Sequence, residues 1–219
     1  MATYVITGAN RGIGLEYCRQ LKSRGDSVIA VCRSPSDELK ALGMRIEDEV
    51  DITSDADVDD LVDRLKGTEI DVLINNAGII ERVGLDTLDF DSILRQFQVN
   101  AMGALRITSR LLPNLSPGSK VVLMTSRMGS IEDNTSGSAY GYRMSKAAMS
   151  MGGKSLSLDL KPRGIAVAIL HPGMVQTRMT GYSGIKTEES VSNLLQRIDE
   201  LDLSNTGTFW HAKGEVLPW

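Results

Sequence analysis

Short apolar runs alternate along the chain with longer segments in which apolar residues recur every three or four positions. The apolar runs predict strands at Thr3–Thr7, Ser27–Cys32, Val72–Asn75, Lys120–Thr125 and Ile165–Leu170. The periodic segments predict helices at Ile13–Arg24, Asp57–Leu65, Phe90–Leu112 and Tyr142–Leu160, and Glu188–Leu201 has a helix-like pattern. Strands that are apolar throughout and separated by helices are typical of parallel sheets covered on both faces. The pattern therefore predicts a single doubly wound α/β domain over the 219 residues.

The composition is that of an ordinary globular domain and disfavours several other classes. Hydrophobic residues make up 42% and charged residues 24%, and the net charge is −4, which argues against a generally basic nucleic-acid surface. With only Cys18 and Cys32, no paired-cysteine motif and two histidines, we expect neither a disulfide framework nor a metal site. No segment approaches the ~20 apolar residues of a membrane span, and the N-terminus lacks signal-peptide features. We therefore expect a cytoplasmic protein with no membrane partner.

A glycine-rich turn follows the first predicted strand and leads directly into a helix. It reads Thr7-Gly8-Ala9-Asn10-Arg11-Gly12-Ile13-Gly14. Glycine lets a phosphate approach the backbone closely, and the unpaired N–H groups of a helix N-terminus attract anions. The turn therefore predicts a site that binds the phosphates of a nucleotide. The alternative is that the glycines serve only the close packing of the turn.

The second predicted strand is followed by Cys32-Arg33-Ser34. A carboxylate at this place binds the ribose of NAD, whereas a cation accepts the additional phosphate of NADP. Arg33 and Arg11 both offer guanidinium groups suited to phosphate. We therefore predict NADP(H) as cofactor, although both residues are also compatible with an ordinary solvated surface.

Tyr142 and Lys146 are four positions apart in a predicted helix and therefore share a face. A neighbouring ammonium favours the phenolate and is expected to lower the pKa of Tyr142 from its usual value near ~10, which suits acid–base catalysis. A chance pair on a solvated helix is the alternative for this motif taken alone. Ser126 lies at the carboxyl end of a predicted strand, where open α/β sheets bind ligands.

Taken together, these motifs resemble the short-chain dehydrogenase/reductase family, in the same order over nearly the whole chain. The matching segments are the Gly8–Gly14 loop, Asn75-Asn76-Ala77-Gly78, Asn100, the Ser126, Tyr142 and Lys146 set, and Pro172-Gly173 with Val175 and Thr177. The stretch from Ser126 to Lys146 and the ending Val216-Leu217-Pro218-Trp219 look like the Sniffer-like or C-factor-like carbonyl reductases. The resemblance implies a Rossmann sheet and reduction of an aldehyde, ketone or quinone with NADPH.

The resemblance also assigns site residues. The implied catalytic residues are Asn100, Ser126, Tyr142 and Lys146, with Tyr142 as proton donor, Ser126 on the substrate oxygen and Asn100 holding a water that links Lys146 to solvent. The implied cofactor-binding residues are Gly8, Asn10, Arg11, Gly12, Ile13, Gly14, Arg33, Asp51, Ile52, Asn76, Ala77, Gly78, Tyr142, Lys146, Pro172, Gly173, Val175 and Thr177. Ser126 and Tyr142 are further apart than is commonest in the family, and the commonest spacing selects Gly129, so Ser130 is kept as a second candidate.

Substrate and assembly are less well defined by the sequence. Residues 174–201 form a short substrate-loop region, which predicts an open cleft, and residues 78–85, Arg127, Met128 and Tyr182 are candidates to line it. The alternatives to a reductase are a nucleotide-binding sensor on the same fold and a sugar-nucleotide epimerase, for which the chain has little room. The partner is expected to be a small carbonyl or alcohol compound, and a monomer, homodimer and homotetramer all stay open.

Overall fold

Seven parallel strands form one sheet at the centre of the computed structural model, which describes residues 1–219. In chain order the strands are β1 (Thr3–Thr7), β2 (Ser27–Val31), β3 (Arg45–Glu47), β4 (Ile70–Asn75), β5 (Leu115–Met124), β6 (Ala166–His171) and β7 (Phe209–His211). Their order across the sheet is β3-β2-β1-β4-β5-β6-β7. The chain therefore proceeds outward from β1 in one direction and outward from β4 in the other. In such sheets the crevice at the reversal, outside the carboxyl ends of the strands, is where ligands bind.

The helices cover both faces of this sheet. They are α1 (Gly12–Arg24), α2 (Asp37–Ala41), α3 (Asp55–Arg64), α4 (Phe90–Phe97), α5 (Ala104–Arg110), α6 (Tyr140–Leu160) and α7 (Thr187–Asp199). Alternate strand residues point to opposite faces, so Ile6 packs with α1, α2 and α7, whereas Val5 packs with α3, α5 and α6. Two apolar cores result, one on each side, and the predicted doubly wound α/β domain is confirmed.

Three short elements were not predicted from the sequence: α2, β3 and β7. Each has three to five residues, too few for a periodic pattern to stand out. The start of α2 is nevertheless specified locally, because the Ser36 side chain accepts a hydrogen bond from the Leu39 amide. Strand β5 also begins earlier than predicted, at Leu115, which pairs with Ile70.

The long helix predicted over residues 90–112 is interrupted. Between α4 and α5 the segment Gln98–Gly103 forms a π-helical turn, and helical structure continues only to Arg110. Gly103, in this turn, packs against the side chain of Ile52, since a Cβ there would be 2.7 Å from Cδ1 of Ile52. π-helical turns are frequent at functional sites, and this one contains Asn100.

No helix is both long and apolar enough to cross a membrane.

Candidate active site

The glycine-rich turn joins β1 to α1 at the carboxyl edge of the sheet. Gly8 and Gly12 have φ angles of +67° and +55°, in the left-handed region that favours glycine. A Cβ on Gly14 would lie 2.3 Å from the carbonyl oxygen of Gly8, so no other residue fits there. The N-terminus of α1 has no side-chain cap and no acidic residue in its first turn. The turn is therefore closely packed and also leaves a helix N-terminus open to an anion.

The loop after β4 packs directly against this turn. The side-chain amide of Asn76 donates to the carbonyl oxygens of Thr7 and Gly8, at 3.0 and 3.2 Å. The Thr7 hydroxyl in turn accepts from the backbone amides of Asn76 and Ala77, both at 3.1 Å. Asn76 therefore acts as a clamp between two loops. A Cβ on Gly8 would also be only 2.8 Å from Cα of Ala77.

A cavity of about 1440 Å³ runs along these loops. Among the expected cofactor residues, those that line it are Gly8, Asn10, Arg11, Gly12, Ile13, Gly14, Arg33, Asp51, Ile52, Asn76, Ala77, Gly78 and Thr177. Pro172, Gly173 and Val175 do not line it, and neither do Asn100, Ser126, Tyr142 and Lys146. Val175 is instead buried, and the Pro172 carbonyl accepts a hydrogen bond from Ser190, so this segment supports the position of Thr177 from behind.

The end of the cavity beside β2 carries two exposed cations. Arg11 has no ion-pair partner within 4.0 Å, and Arg33 lies 3.9 Å from a carboxylate oxygen of Asp51. Asp51 is itself held by accepting hydrogen bonds from the amide and hydroxyl of Thr53, at 2.9 and 2.8 Å. Both guanidinium groups are exposed, Arg11 has no partner and Arg33 has only a distant one, so both can bind a phosphate.

Tyr142 and Ser126 meet where β5 ends and α6 begins, next to the residues that line the cavity but not among them. Tyr142 is 7% exposed and Ser126 is 8% exposed. Burial raises the pKa of Tyr142, and hydrogen bonding with Ser126 and the charge of Arg82 oppose this rise. The net direction is upward, so the prediction that the pKa of Tyr142 is lowered is wrong for the free protein. Desolvation of the phenolate outweighs the nearby charges.

The structure also separates the two candidate serines. The Ser126 side chain faces Tyr142, whereas the Ser130 hydroxyl accepts from the Asp133 amide at 3.1 Å. Position 129 cannot carry a serine, because a Cβ there would be 2.8 Å from the carbonyl carbon of Lys146. The tight packing of this turn on α6 therefore leaves no room for a serine at the position that the commonest spacing selects.

Lys146 lies one helical turn beyond Tyr142 and is fully enclosed. Its ammonium group donates to the Met124 carbonyl at 2.8 Å and lies 5.8 Å from the centroid of the Tyr142 ring. Burial lowers the pKa of Lys146 to about 8. The charge of this lysine is therefore sensitive to pH close to neutrality.

Asn100 fastens the loop after β4 to helix α6. Its side chain accepts from the Ile79 amide at 2.8 Å and donates to the Ile79 carbonyl and the Ser145 hydroxyl, both at 2.9 Å. A Cβ on Gly78 would lie 3.2 Å from Oδ1 of Asn100 and 3.5 Å from Nζ of Lys146. Gly78, which lines the cavity, therefore separates it from the buried Asn100 and Lys146.

Sequence reasoning missed several residues of this region. Ser145 lies inside the Tyr142–Lys146 motif, but a helical serine gives no sign that it will bridge Asn100 and the Tyr142 carbonyl. Arg178, next to Thr177, lines the cavity; the sequence placed it in the substrate-loop region but did not single it out as a site residue. Of the candidates for the substrate cleft, Tyr182 and residues 78–82 line the cavity, whereas Arg127 and Met128 do not.

Comparisons with known proteins agree with this geometry. The family model of the short chain dehydrogenases matches residues 2–188. The chain is 40% identical to 1-hydroxy-2-glutathionyl-2-methyl-3-butene dehydrogenase of Rhodococcus sp. (strain AD45), over all of both chains. Among solved structures, the carbonyl reductase Sniffer of D. melanogaster superposes with a TM-score of 0.92 at 29% identity, covering 100% of each chain. The NADPH-bound carbonyl reductase from chicken fatty liver has a TM-score of 0.89 at 28% identity and covers 100% of this chain and 99% of its own.

Proposed function

Because the chain belongs to the short-chain dehydrogenase family, we propose that it binds NADP(H) and reduces the carbonyl group of a small aldehyde, ketone or quinone. The observation that carries this proposal is the position of Tyr142. Its phenol lies beside Ser126 and Lys146, and Lys146 is adjacent to Gly78, which lines the cavity that runs to the glycine-rich turn. We infer from this position that the proton donor lies next to the dinucleotide site.

The residues present fit a dinucleotide phosphate. The uncapped N-terminus of α1 suits the pyrophosphate, and the exposed Arg11 and Arg33 suit the phosphate that distinguishes NADP from NAD. The cavity of about 1440 Å³ is continuous from Arg33 to Gly78 and Tyr182. When bound, the cofactor supplies the hydride. The carbonyl reductase neighbours, one of them solved with NADPH, support the same cofactor.

The protein supplies the proton and holds the reacting groups. A tyrosine, whose ordinary pKa is near ~10, is protonated at neutral pH, and the upward shift of the pKa of Tyr142 leaves it so; Tyr142 is therefore in the form that a proton donor in reduction requires. Ser126 would donate a hydrogen bond to the substrate oxygen and stabilise the negative charge that develops there. Lys146 holds its charge beside Tyr142 through the Met124 carbonyl.

Reprotonation of Tyr142 requires a path to solvent. We assign to Asn100 the fixing of the loop against α6, because its amide already makes three hydrogen bonds. The proposal also keeps the expected role of Asn100 in holding a water. Asn100 lies within the π-helical turn, where the regular hydrogen bonding of the helix backbone is interrupted.

The test is the loss of NADPH absorbance with a panel of aldehydes, ketones and quinones, with NADH measured in parallel. Tyr142→Phe removes only the donor hydroxyl, and we expect kcat to fall by ~10²–10⁴-fold while NADPH still binds. Ser126→Ala should also lower kcat, whereas Ser130→Ala, the matched control, should not. NADPH binding without turnover of any compound would instead favour a nucleotide-binding sensor.

A further inference from the structure

The cavity carries more positive charge than the acidic chain as a whole would suggest. The net charge of the protein is −4, yet six arginines and only two carboxylates, Asp51 and Glu81, line the cavity. Three of the arginines, Arg19, Arg33 and Arg95, lie within 4.0 Å of a carboxylate. The other three, Arg11, Arg82 and Arg178, have no ion-pair partner within that distance. The cavity therefore holds uncompensated positive charge.

Two of these three arginines lie on the side of the dinucleotide phosphates. Arg11 is part of the glycine-rich turn, and Arg178 follows Thr177, whose methyl group would be 3.3 Å from a Cβ on Gly12. Arg82 is different, because it follows Glu81, whose backbone is held by Gln96, and Gln96 packs against Gly141, the residue before Tyr142. Arg82 is thus the unpaired cation on the part of the cavity wall beside the start of α6, where the carbonyl must bind in the proposed reaction.

The backbone on both sides of Arg82 is held in place. The Glu81 amide donates to the Gln96 side chain at 3.0 Å, and the same side chain donates to the Glu81 carbonyl at 3.1 Å. Val83, on the other side, is buried. An exposed arginine on a fixed segment loses less conformational freedom when it binds a ligand than one on a mobile loop.

The nearest carboxylate in sequence does not neutralise Arg82. Glu81 is engaged by Arg95, with nitrogen-to-oxygen distances of 2.8 and 3.3 Å. This pair cancels its own charge and leaves that of Arg82 available. Guanidinium groups bind carboxylates through two parallel hydrogen bonds, which selects for that anion.

We propose that Arg82 binds a carboxylate carried by the carbonyl substrate, so that the protein prefers acidic carbonyl compounds to neutral ones. Arg82 is then a specificity-determining residue. The carbonyl reacts at Tyr142 while the carboxylate is held at the cavity wall formed by residues 79–82. This inference rests on the proposed carbonyl reduction for its choice of substrate, although the anion site can be tested separately.

The test uses two substrates of matched shape, para-formylbenzoate and its uncharged methyl ester. We expect wild-type kcat/KM to favour the acid by about fivefold, equivalent to about 1 kcal/mol, as for a partly exposed ion pair. Arg82→Gln should remove this preference, and Arg82→Lys should restore part of it. The ratio of the two substrates cancels any effect of Arg82 on the pKa of Tyr142, because that effect is common to both.

Arg163→Gln is the matched control, since it makes the same charge change at an exposed residue before the amino end of β6. It should leave the ratio unchanged. Added salt should lower the wild-type preference, because screening weakens exposed ion pairs. An unchanged ratio in Arg82→Gln, or an equal fall in Arg163→Gln, would overturn the proposal.

Binding of benzoate to the NADP⁺-loaded protein, measured by calorimetry, gives a readout that is independent of turnover. Weaker binding in Arg82→Gln than in Arg163→Gln supports the anion site even if no aldehyde is reduced, in which case only the proposed reaction fails. Equal binding in both variants overturns the anion site even if neutral aldehydes are turned over.

Discussion

Replacing Lys146 by methionine should abolish turnover and yet relieve a folding penalty. Lys146 is buried, and burial lowers its pKa to about 8 from the ordinary lysine value of 10.5. That difference corresponds to about 3 kcal/mol by which the folded state disfavours the charged lysine relative to the unfolded chain. Methionine has a similar length and no charge. The substitution also removes the hydrogen bond to the Met124 carbonyl, which costs about 1–3 kcal/mol. The free energy of unfolding near neutral pH should therefore stay nearly the same or increase.

The pH dependence is a sharper test than the net change. Below pH 8 both the folded and the unfolded wild type carry the proton, and the penalty is present in full. As the pH rises from 8 towards 10.5, the folded protein loses the proton while the unfolded chain keeps it, so the penalty is progressively relieved. The stability of the wild type relative to Lys146→Met should therefore increase by about 2 kcal/mol between pH 7 and pH 9.5.

Urea unfolding of both proteins without cofactor, at several pH values in this range, measures this difference. Lys154→Met is the control, because Lys154 is an exposed lysine on the same helix, so the same substitution there removes no buried charge. A gap between wild type and Lys146→Met that stays constant from pH 7 to pH 9.5 would refute the reasoning. It would mean that burial does not depress the pKa of this lysine.

Two further predictions concern the cofactor site. Gly14→Ala should abolish NADPH binding and destabilise the fold, since the new methyl group would be 2.3 Å from the carbonyl oxygen of Gly8. The control is Gly152→Ala in α6, where open space surrounds the new methyl group and the fold should be stabilised by about 0.5–1 kcal/mol. Fluorescence titration measures NADPH affinity and thermal unfolding measures stability, and normal NADPH affinity in Gly14→Ala would contradict the steric argument. Arg33→Asp should shift the ratio of kcat/KM for NADPH over that for NADH by at least tenfold towards NADH, because a carboxylate repels the additional phosphate and binds a ribose hydroxyl. An unchanged ratio would show that Arg33 does not contact that phosphate.

The sequence alone predicted the features that are formed by residues close together in the chain. The apolar runs predicted five of the seven strands, and the alternation of strands with helices predicted the doubly wound sheet, because burial on both faces imposes that pattern. The glycine-rich turn and the Tyr142–Lys146 pair could also be located, since each is a short motif within one strand–helix unit. Elements of three to five residues, such as β3 and β7, were missed because so few positions carry no periodicity.

Distances between segments that are remote in sequence required the tertiary structure. The choice of Ser126 over Ser130 depends on how the turn at Gly129 packs on α6, and the hydrogen bonds of Asn100 depend on a loop some twenty residues away. The direction of the Tyr142 pKa was predicted wrongly because the sequence shows the neighbouring charge but not the degree of burial. The sequence likewise shows an arginine at position 82, whereas its lack of a partner follows only from the pairing of Glu81 with Arg95. Motifs are local and can be predicted from composition and spacing, but desolvation and pairing depend on the whole fold.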